Sequence, residues 1–591
     1  MKLSDFIIEY LVASGSTHVF GMSGGAAVHL FDSISRSPAM GLTCVAHEQS
    51  ASMAADAFSR LSGKVGVCVV TSGPGATNLL TGVCCSYYDS VPTLLLTGQV
   101  ATYRLRGDRP VRQVGFQETD VLAIFSSVTK HASQLKAPGS IRQMLDDALS
   151  VALEGRPGPV VLDIPDDLER AEVEPFAKSA RTAPTRHPSL TGKLDALFEL
   201  LERAKQPVMI LGGGLTTPDV ITDARPLLSK LALPILQTWA GLDVVPDDWP
   251  LRYGTFGVYA SRLGNMIVQN ADVILCLGTR LSQNLTGGLL DKFAPNAHIA
   301  MVDVDRGEMD KFDGTGLDIS TRIETRLDRF LLAAEPFAEG FNRPDIKFWI
   351  EKIERWQRIL PDDCPSAPAD DAGYVDAVHF VRELSAHLSK DELILADTGG
   401  TLTWTCNNIR LQSGQRLLSA WNFTPMGYAL PASLGAHAAQ PNRPLTCIIG
   451  DGGLQLCLGE LATILRCGVP LKIILFNNHC HGIQKQTLDT WLDGNYVGVD
   501  SASGLGLSPF AEVAKAMGYR VVTISRMSAI VAGLAEVYSH AGPVFCNVEV
   551  NPDQKLWPYL KFGHTLEHQY PVLEPRTAAA LLQEPSHMLV K

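Results

Sequence analysis

The residues best suited to chemistry lie in the last third of the chain. Gly450-Asp451-Gly452-Gly453 follows the apolar pair Ile448-Ile449, and Asn477-Asn478 follows the run Lys472–Phe476, which places Asn478 27 positions beyond Asp451. A hard divalent cation such as Mg²⁺ takes octahedral oxygen ligands and needs only one or two carboxylates. Asp451 would supply the carboxylate, Asn478 a neutral amide oxygen and the backbone carbonyl of Cys480 a third oxygen. The glycines would let backbone N–H groups approach phosphate oxygens. Together these are the parts of a site for a cation-bridged diphosphate. Gly-Asp-Gly is also a common turn and Asn-Asn a common loop, so the reading rests on their spacing at the ends of two strands.

A second candidate lies near the start, in His47-Glu48-Gln49, after the β-like run Leu42–Val45 and before a stretch of small residues. A lone glutamate there reads first as a solvated acid. Beside a diphosphate site it acquires a specific use. Thiamine diphosphate needs a carboxylic acid to hydrogen-bond N1′ of its aminopyrimidine, which is acid–base catalysis exerted through a cofactor.

The elements that must position these groups read as α/β units. Val65–Thr71 and Thr93–Thr97 are β-branched or leucine-rich runs ending in Gly-bearing turns, and Pro159–Pro165 closes the first unit. Pro207–Leu211, Ala271–Leu277 and His298–Val304 give a second unit. Leu393–Ala396, Thr446–Ile449, Lys472–Phe476 and Val544–Val550 give a third, with a helical stretch expected at Leu458–Cys467. Strand, glycine turn and helix in repetition predict doubly wound parallel sheets, whose ligands bind at the carboxyl ends of strands. The expected domains are 1–172 (pyrimidine-binding), 190–335 (central) and 370–555 (diphosphate- and metal-binding), with a tail over 556–591. Linker composition at Pro175–Ser189 and Asp362–Ala372 separates them.

Composition narrows the class. In 591 residues, 46% are hydrophobic and 19% charged, and the net charge is −12. An acidic balance argues against a nucleic-acid surface, which needs excess Lys and Arg. The twelve cysteines show no zinc-type spacing and suit a reducing compartment. With no apolar run of membrane-spanning length and no signal-peptide pattern, the expectation is a soluble cytoplasmic protein with no membrane partner.

Read in order, the motifs resemble the acetolactate synthase branch of the thiamine-diphosphate enzymes. The residues that carry the resemblance include His47-Glu48-Gln49, Thr71–Asn78 (TSGPGATN), Asp89–Pro92 (DSVP), Gly98-Gln99-Val100, Phe116-Gln117-Glu118, Gly155–Pro159 (GRPGP), Gly278-Thr279-Arg280, Met426–Pro431 (MGYALP), Gly450-Asp451-Gly452 and Asn477-Asn478. The resemblance implies a carboligase that decarboxylates a 2-oxo acid such as pyruvate and adds the acyl unit to a carbonyl acceptor. It makes Glu48 the cofactor-activating acid, and Asp451, Asn478 and Cys480 the Mg²⁺ ligands. It puts Gly399, Gly400, Thr401, Thr424, Gly452 and Gly453 against the cofactor, and makes Met426 the apolar wedge that brings its two rings together. Phe116 and Gln117 would line the reacting centre. Glu48 of one subunit would meet Asp451 of another, in a homodimer or homotetramer.

The departures concern the substrate. Acetolactate synthases carry a tryptophan nine residues after the metal-binding asparagine; here that position is Thr487, within the polar segment Ile483–Asp489. A roomier, more polar acceptor pocket follows, suited to a larger acceptor such as a keto sugar. Ser23 and Pro425 stand where the family often has Pro and Thr. FAD, held by the central domain of acetolactate synthases, stays open: Gly212-Gly213-Gly214 and Arg280 are compatible with it, while Ser282-Gln283 replace an acidic pair and a glycine triplet is also an ordinary tight turn. A non-ligating decarboxylase or oxidase on the same cofactor is the competing reading.

Overall fold

The structure, a computed structural model, describes residues 1–175, 189–361 and 373–581. The expected linkers fall almost wholly outside the described residues. The described residues form three six-stranded sheets, and every strand pair in them is parallel. The first holds β1 (His18–Met22), β2 (Gly41–Cys44), β3 (Gly66–Val70), β4 (Thr93–Gln99), β5 (His131–Gln134) and β6 (Val160–Pro165), in the order β2-β1-β3-β4-β6-β5. The second holds β7 (Pro207–Leu211), β8 (Ile235–Gln237), β9 (Arg252–Thr255), β10 (Val273–Leu277), β11 (His298–Asp303) and β12 (Thr321–Glu324), in the order β12-β11-β10-β7-β8-β9. The third holds β13 (Leu393–Ala396), β14 (Arg416–Leu418), β15 (Leu445–Gly450), β16 (Lys472–Asn477), β17 (Arg520–Ile524) and β18 (Val544–Glu549), in the order β14-β13-β15-β16-β18-β17. The doubly wound fold expected from the sequence is thus present three times.

Most strands found from sequence are wholly buried, such as β3, β4, β7 and β16. Burial on both faces makes a parallel strand a continuous apolar run. The strands not anticipated are mostly at or near sheet edges, short or half-polar: β5 reads His-Ala-Ser-Gln and is only partly buried throughout. The expected helix at Leu458–Cys467 is present as Glu460–Arg466, and a separate helix not anticipated, Asp451–Cys457, precedes it. The chain turns helical at Asp451 itself, so that residue opens a helix.

The first and third units have the same strand order, and within the chain they share one core. Its centre is the crossing of helix Glu48–Ser62 with helix Ala429–Ala439. Small residues line the crossing: Ala51, Ala54, Ala55 and Ala57 on one side, Ala429, Ala432, Ser433 and Ala436 on the other, all buried. A Cβ on Gly435 would lie 1.8 Å from the Ala54 carbonyl oxygen. Over this contact Tyr428 Oη donates to Asp56 (2.5 Å), and Arg60 bridges Asp56 (2.6 Å) and Asp89 (2.7 Å). Asp89 also accepts from the backbone N–H groups of Trp421 and Asn422.

The segment past 556 packs on the middle unit. Leu560, Leu566 and Leu581 enter its core, Asn265 donates to Leu566 O (3.1 Å) and Trp356 Nε1 to Leu581 O (3.1 Å). No helix among the described residues is long and apolar enough to cross a membrane, and none of the described cysteines is in a disulfide.

Gly435→Ala should lower stability by about 1–3 kcal/mol, because backbone must move to admit the methyl group. Gly192→Ala, in a helix where the added Cβ meets nothing within 4 Å, should be neutral or slightly stabilising. Thermal denaturation of the two variants beside the parent checks the contrast.

Candidate active site

The third unit builds one half of a site at the carboxyl ends of adjacent strands β13 and β15. After β13 the chain turns at Gly399, whose φ of 76° favours glycine, and Gly399 caps helix Gly400–Asn408. After β15, helix Asp451–Cys457 begins at once. Two helix N-termini therefore lie side by side, each presenting the positive end of a helix dipole. The buried Thr401 hydroxyl spans the gap, 3.0 Å from where a Cβ on Gly450 would stand.

Beside this cradle the metal-type residues come together. Asp451 is buried, with Oδ1 accepting from Gly452 N (2.6 Å). Burial pushes its carboxyl up to about 6, against the backbone N–H groups of Gly452, His479 and Asn478. The Asn478 side-chain oxygen faces two other acceptors, Cys480 O at 2.8 Å and Asp451 Oδ2 at 3.1 Å. With the amide turned over, its NH₂ donates to both. With the oxygen inward, three oxygens converge without a proton between them. Ligands at cis positions around an octahedral Mg²⁺ lie about 3.0 Å apart, and both separations from the Asn478 oxygen match that spacing. The Cys480 thiol points elsewhere, 3.5 Å from Pro552 O, so its carbonyl is what faces the cluster.

Met426 is 37% exposed on the loop before helix Ala429–Ala439, and a Cβ on Gly452 would lie 3.6 Å from its sulfur and 2.7 Å from His481 Nε2. Gly452 is therefore the residue that lets Met426 and His481 close over the Asp451 turn. Gly453 makes room for Asp397, which would stand 3.0 Å from its Cβ. Thr424, in a left-handed conformation (φ 48°), is exposed on the same loop.

The first unit builds the other half. Glu48 opens helix Glu48–Ser62 and is buried, with one carboxylate oxygen accepting from Asn78 Nδ2 (2.9 Å) and the other 3.5 Å from where a Cβ on Gly75 would stand. A Cβ on Gly73, across the same turn, would meet Gln117 O at 2.9 Å. Glu48, the Gly73–Gly75 turn and Gln117 are thus contiguous. Gln117 has φ 63°, and Phe116 beside it is 84% exposed. Among the described residues no hydrogen bond or ion pair joins Glu48 to the Asp451–Asn478 cluster.

Three supporting residues escaped the sequence reading. Asn78 holds Glu48; it lies in the TSGPGATN motif but carried no separate signal. Asp397 accepts from Thr398 N (2.8 Å), Gly427 N (3.1 Å) and Ala429 N (3.0 Å), which ties the Met426 loop to the end of β13; burial raises its carboxyl to about 6. Its signal was an aspartate directly before a Thr-Gly-Gly turn. Glu118 accepts from the backbone N–H groups of Arg106, Val114 (2.8 Å) and Gly115 (3.2 Å) and so shapes the loop of Phe116 and Gln117. Burial alone would raise its carboxyl, but these donors hold it below the usual carboxylate range.

The middle sheet has the strand order of dinucleotide-binding folds, with its switch point between β7 and β10. The two features put forward for FAD are used within the protein. A Cβ on Gly212 would lie 2.2 Å from Gly278 O, so close packing requires that glycine, and Arg280 pairs with Glu308 (2.8 Å). Thr238 and Thr325, at the ends of β8 and β12, keep buried hydroxyls with no hydrogen-bond partner.

Comparison with known proteins agrees with this geometry. Three family models match the chain: the thiamine pyrophosphate enzyme N-terminal TPP binding domain over residues 1–124, the central domain over 194–330, and the C-terminal TPP binding domain over 397–548. The acetolactate synthase large subunit of Parasynechococcus marenigrum is 30% identical, over 94% of this chain and 89% of its own. The acetolactate synthase isozyme 2 large subunit of Escherichia coli is 29% identical, over 95% and 98%. A probable acetolactate synthase large subunit of Methanocaldococcus jannaschii is 32% identical, over 94% and 93%. The chain belongs to the thiamine pyrophosphate enzymes, in their acetolactate-synthase-like branch.

Proposed function

We propose that the protein is a carboligase that decarboxylates a 2-oxo acid, with pyruvate as the donor, and joins the acyl unit to a carbonyl acceptor larger or more polar than that of acetolactate synthase, such as a keto sugar. The observation that carries this reading is the convergence of Asp451, Asn478 and the Cys480 carbonyl beside two helix N-termini. Bound thiamine diphosphate supplies the electron sink that lets a 2-oxo acid lose CO₂ and the acyl carbon attack a carbonyl. The protein's own part is positional and electrostatic. Asp451, Asn478 and Cys480 O would hold Mg²⁺ and the N–H groups at Gly399–Thr401 and Gly453 would face the diphosphate, with Gly452 giving the close turn between them. Met426 would be the apolar wedge against the cofactor's rings. Glu48, oriented by Asn78, would hold the proton at the pyrimidine nitrogen. Gln117 offers an amide to the acceptor carbonyl, and Phe116 closes the reacting centre against water.

We further infer that each site is shared between two subunits. Each half-site leaves large apolar residues exposed: Tyr103, Val111, Val114 and Phe116 on the first, Phe423, Met426 and Leu456 on the third. A self-complementary patch of this kind suits a symmetric dimer. FAD enters this reading only as an occupant of the β7–β10 switch point, which the absorption spectrum of the purified protein tests.

Glu48→Gln should cut cofactor-dependent CO₂ release from pyruvate about a hundredfold or more, while titration still detects cofactor binding. Asp451→Asn should abolish Mg²⁺-dependent cofactor binding itself. Retained activity in either variant overturns the corresponding role. Aldehyde release without incorporation into any acceptor would replace the carboligase with a plain decarboxylase.

Mixing the two inactive variants under conditions of subunit exchange should restore about a quarter of the parent activity, because half the dimers then carry one intact site. No recovery would place both halves in one chain.

A further inference from the structure

Helix Gly482–Leu492 follows directly from the Asn478 turn and reads GIQKQTLDTWL, polar around most of its circumference. Its two sides have different surroundings. One side is fastened to the returning segment beyond β18. Gln486 exchanges two hydrogen bonds with the Leu556 backbone (3.2 and 2.7 Å), Lys485 pairs with Asp553 (2.7 Å), Asp489 pairs with Lys555, and the Thr490 hydroxyl lies 3.4 Å from the Tyr559 hydroxyl. At 3.6 residues per turn, the opposite arc of roughly 100° carries Ile483, Gln484, Thr487 and Trp491. Ile483 starts that arc at the cofactor cradle, its Cγ2 3.7 Å from where a Cβ on Gly399 would stand. Gln484 and Thr487 are exposed, and Trp491 is 55% exposed. The Thr487 hydroxyl is bonded back to Ile483 O (2.9 Å), so no bulky wall rises where the family's tryptophan would stand.

The returning segment then crosses to this open arc and sets Lys561 Nζ 4.5 Å from the centre of the Trp491 ring. Lys485 and Lys555 each face a carboxylate, whereas Lys561 has none among the described residues. The arc therefore begins at the cofactor cradle and ends at an exposed aromatic ring with an uncompensated positive charge. From Ile483 to Trp491 the helix rises about 12 Å, much longer than a short-chain 2-oxo acid.

Resting on the carboligase reading above, we propose that this arc is the acceptor wall, and that Trp491 and Lys561 form a distal subsite for a carbonyl acceptor whose tail carries a ring and a negative charge. Gln484 and Thr487 hydrogen-bond the polar middle of such a molecule, the indole stacks on its ring, and the ammonium meets its anionic group.

The test uses three acceptors with pyruvate as donor: 4-formylphenyl phosphate, benzaldehyde and 2-oxobutyrate. The phosphate-bearing aldehyde should be preferred over benzaldehyde in kcat/KM. Lys561→Met should shrink that ratio about tenfold, mainly through KM, and Lys561→Arg should restore it, a rescue that a merely structural lysine would not show. Trp491→Ala should weaken both aromatic aldehydes relative to 2-oxobutyrate. A parent ratio near one, an unchanged ratio in Lys561→Met, or the same loss in Met and Arg variants overturns the subsite while carboligation with 2-oxobutyrate leaves the parent reading intact. If the parent protein releases no CO₂ from pyruvate with thiamine diphosphate and Mg²⁺, the pyruvate carboligase reading fails first and takes the subsite with it.

Discussion

The rest of the molecule depends on how closely helix Glu48–Ser62 crosses helix Ala429–Ala439. Backbone meets backbone at Ala54 and Gly435, an approach that no larger side chain would permit. The first helix begins at Glu48, and the second begins two residues after the Met426-Gly427 turn. Their crossing sets the relative position of the two half-sites within a chain, and with it the surface each presents to a partner. The Asp56–Arg60–Asp89–Tyr428 network lies over the same contact and is almost fully buried. Breaking one member of such a network would strand a charge in low dielectric, which makes the crossing intolerant of change.

The repeated strand order of the first and third units explains why the chemistry divides as it does. Each sheet gathers its ligand-facing loops at the carboxyl ends of its strands. The third unit supplies what an anion and a hard cation need: helix N-termini, glycine turns and neutral oxygens around a single carboxylate. The first supplies a buried acid and a loop held by Glu118. Each half leaves apolar side chains in solvent.

The segment after β18 links otherwise separate parts of the chain. It first fastens helix Gly482–Leu492, then pairs its backbone with the middle unit, where Leu560 N donates to Val258 O (2.8 Å). Through it helix Gly482–Leu492 is mechanically tied to the dinucleotide-type sheet. This gives the middle unit a structural part in shaping the site, whatever its switch point binds.

Some of this was legible in the residues alone. Strands such as Pro207–Leu211 and Lys472–Asn477 announced themselves because burial on both faces leaves an uninterrupted apolar run, and the nearness of Asp451 and Asn478 followed from their places at the ends of two adjacent parallel strands. Edge strands such as His131–Gln134 did not, since a half-solvated strand has no continuous pattern to read. Asn78 and Asp397 were invisible as supports because their partners, Glu48 and the Gly427 and Ala429 backbone, lie 30 or more positions away in sequence. The course of the last segment was hidden for the same reason: Leu560 and Leu566 are ordinary apolar residues until the fold brings the middle unit beneath them. Residue types and local spacing determined the chemistry and the sheet-forming segments. Which groups meet, which glycines are required, and which face of a polar helix stays open were decided only by tertiary packing, because each depends on contacts between residues that local sequence does not couple.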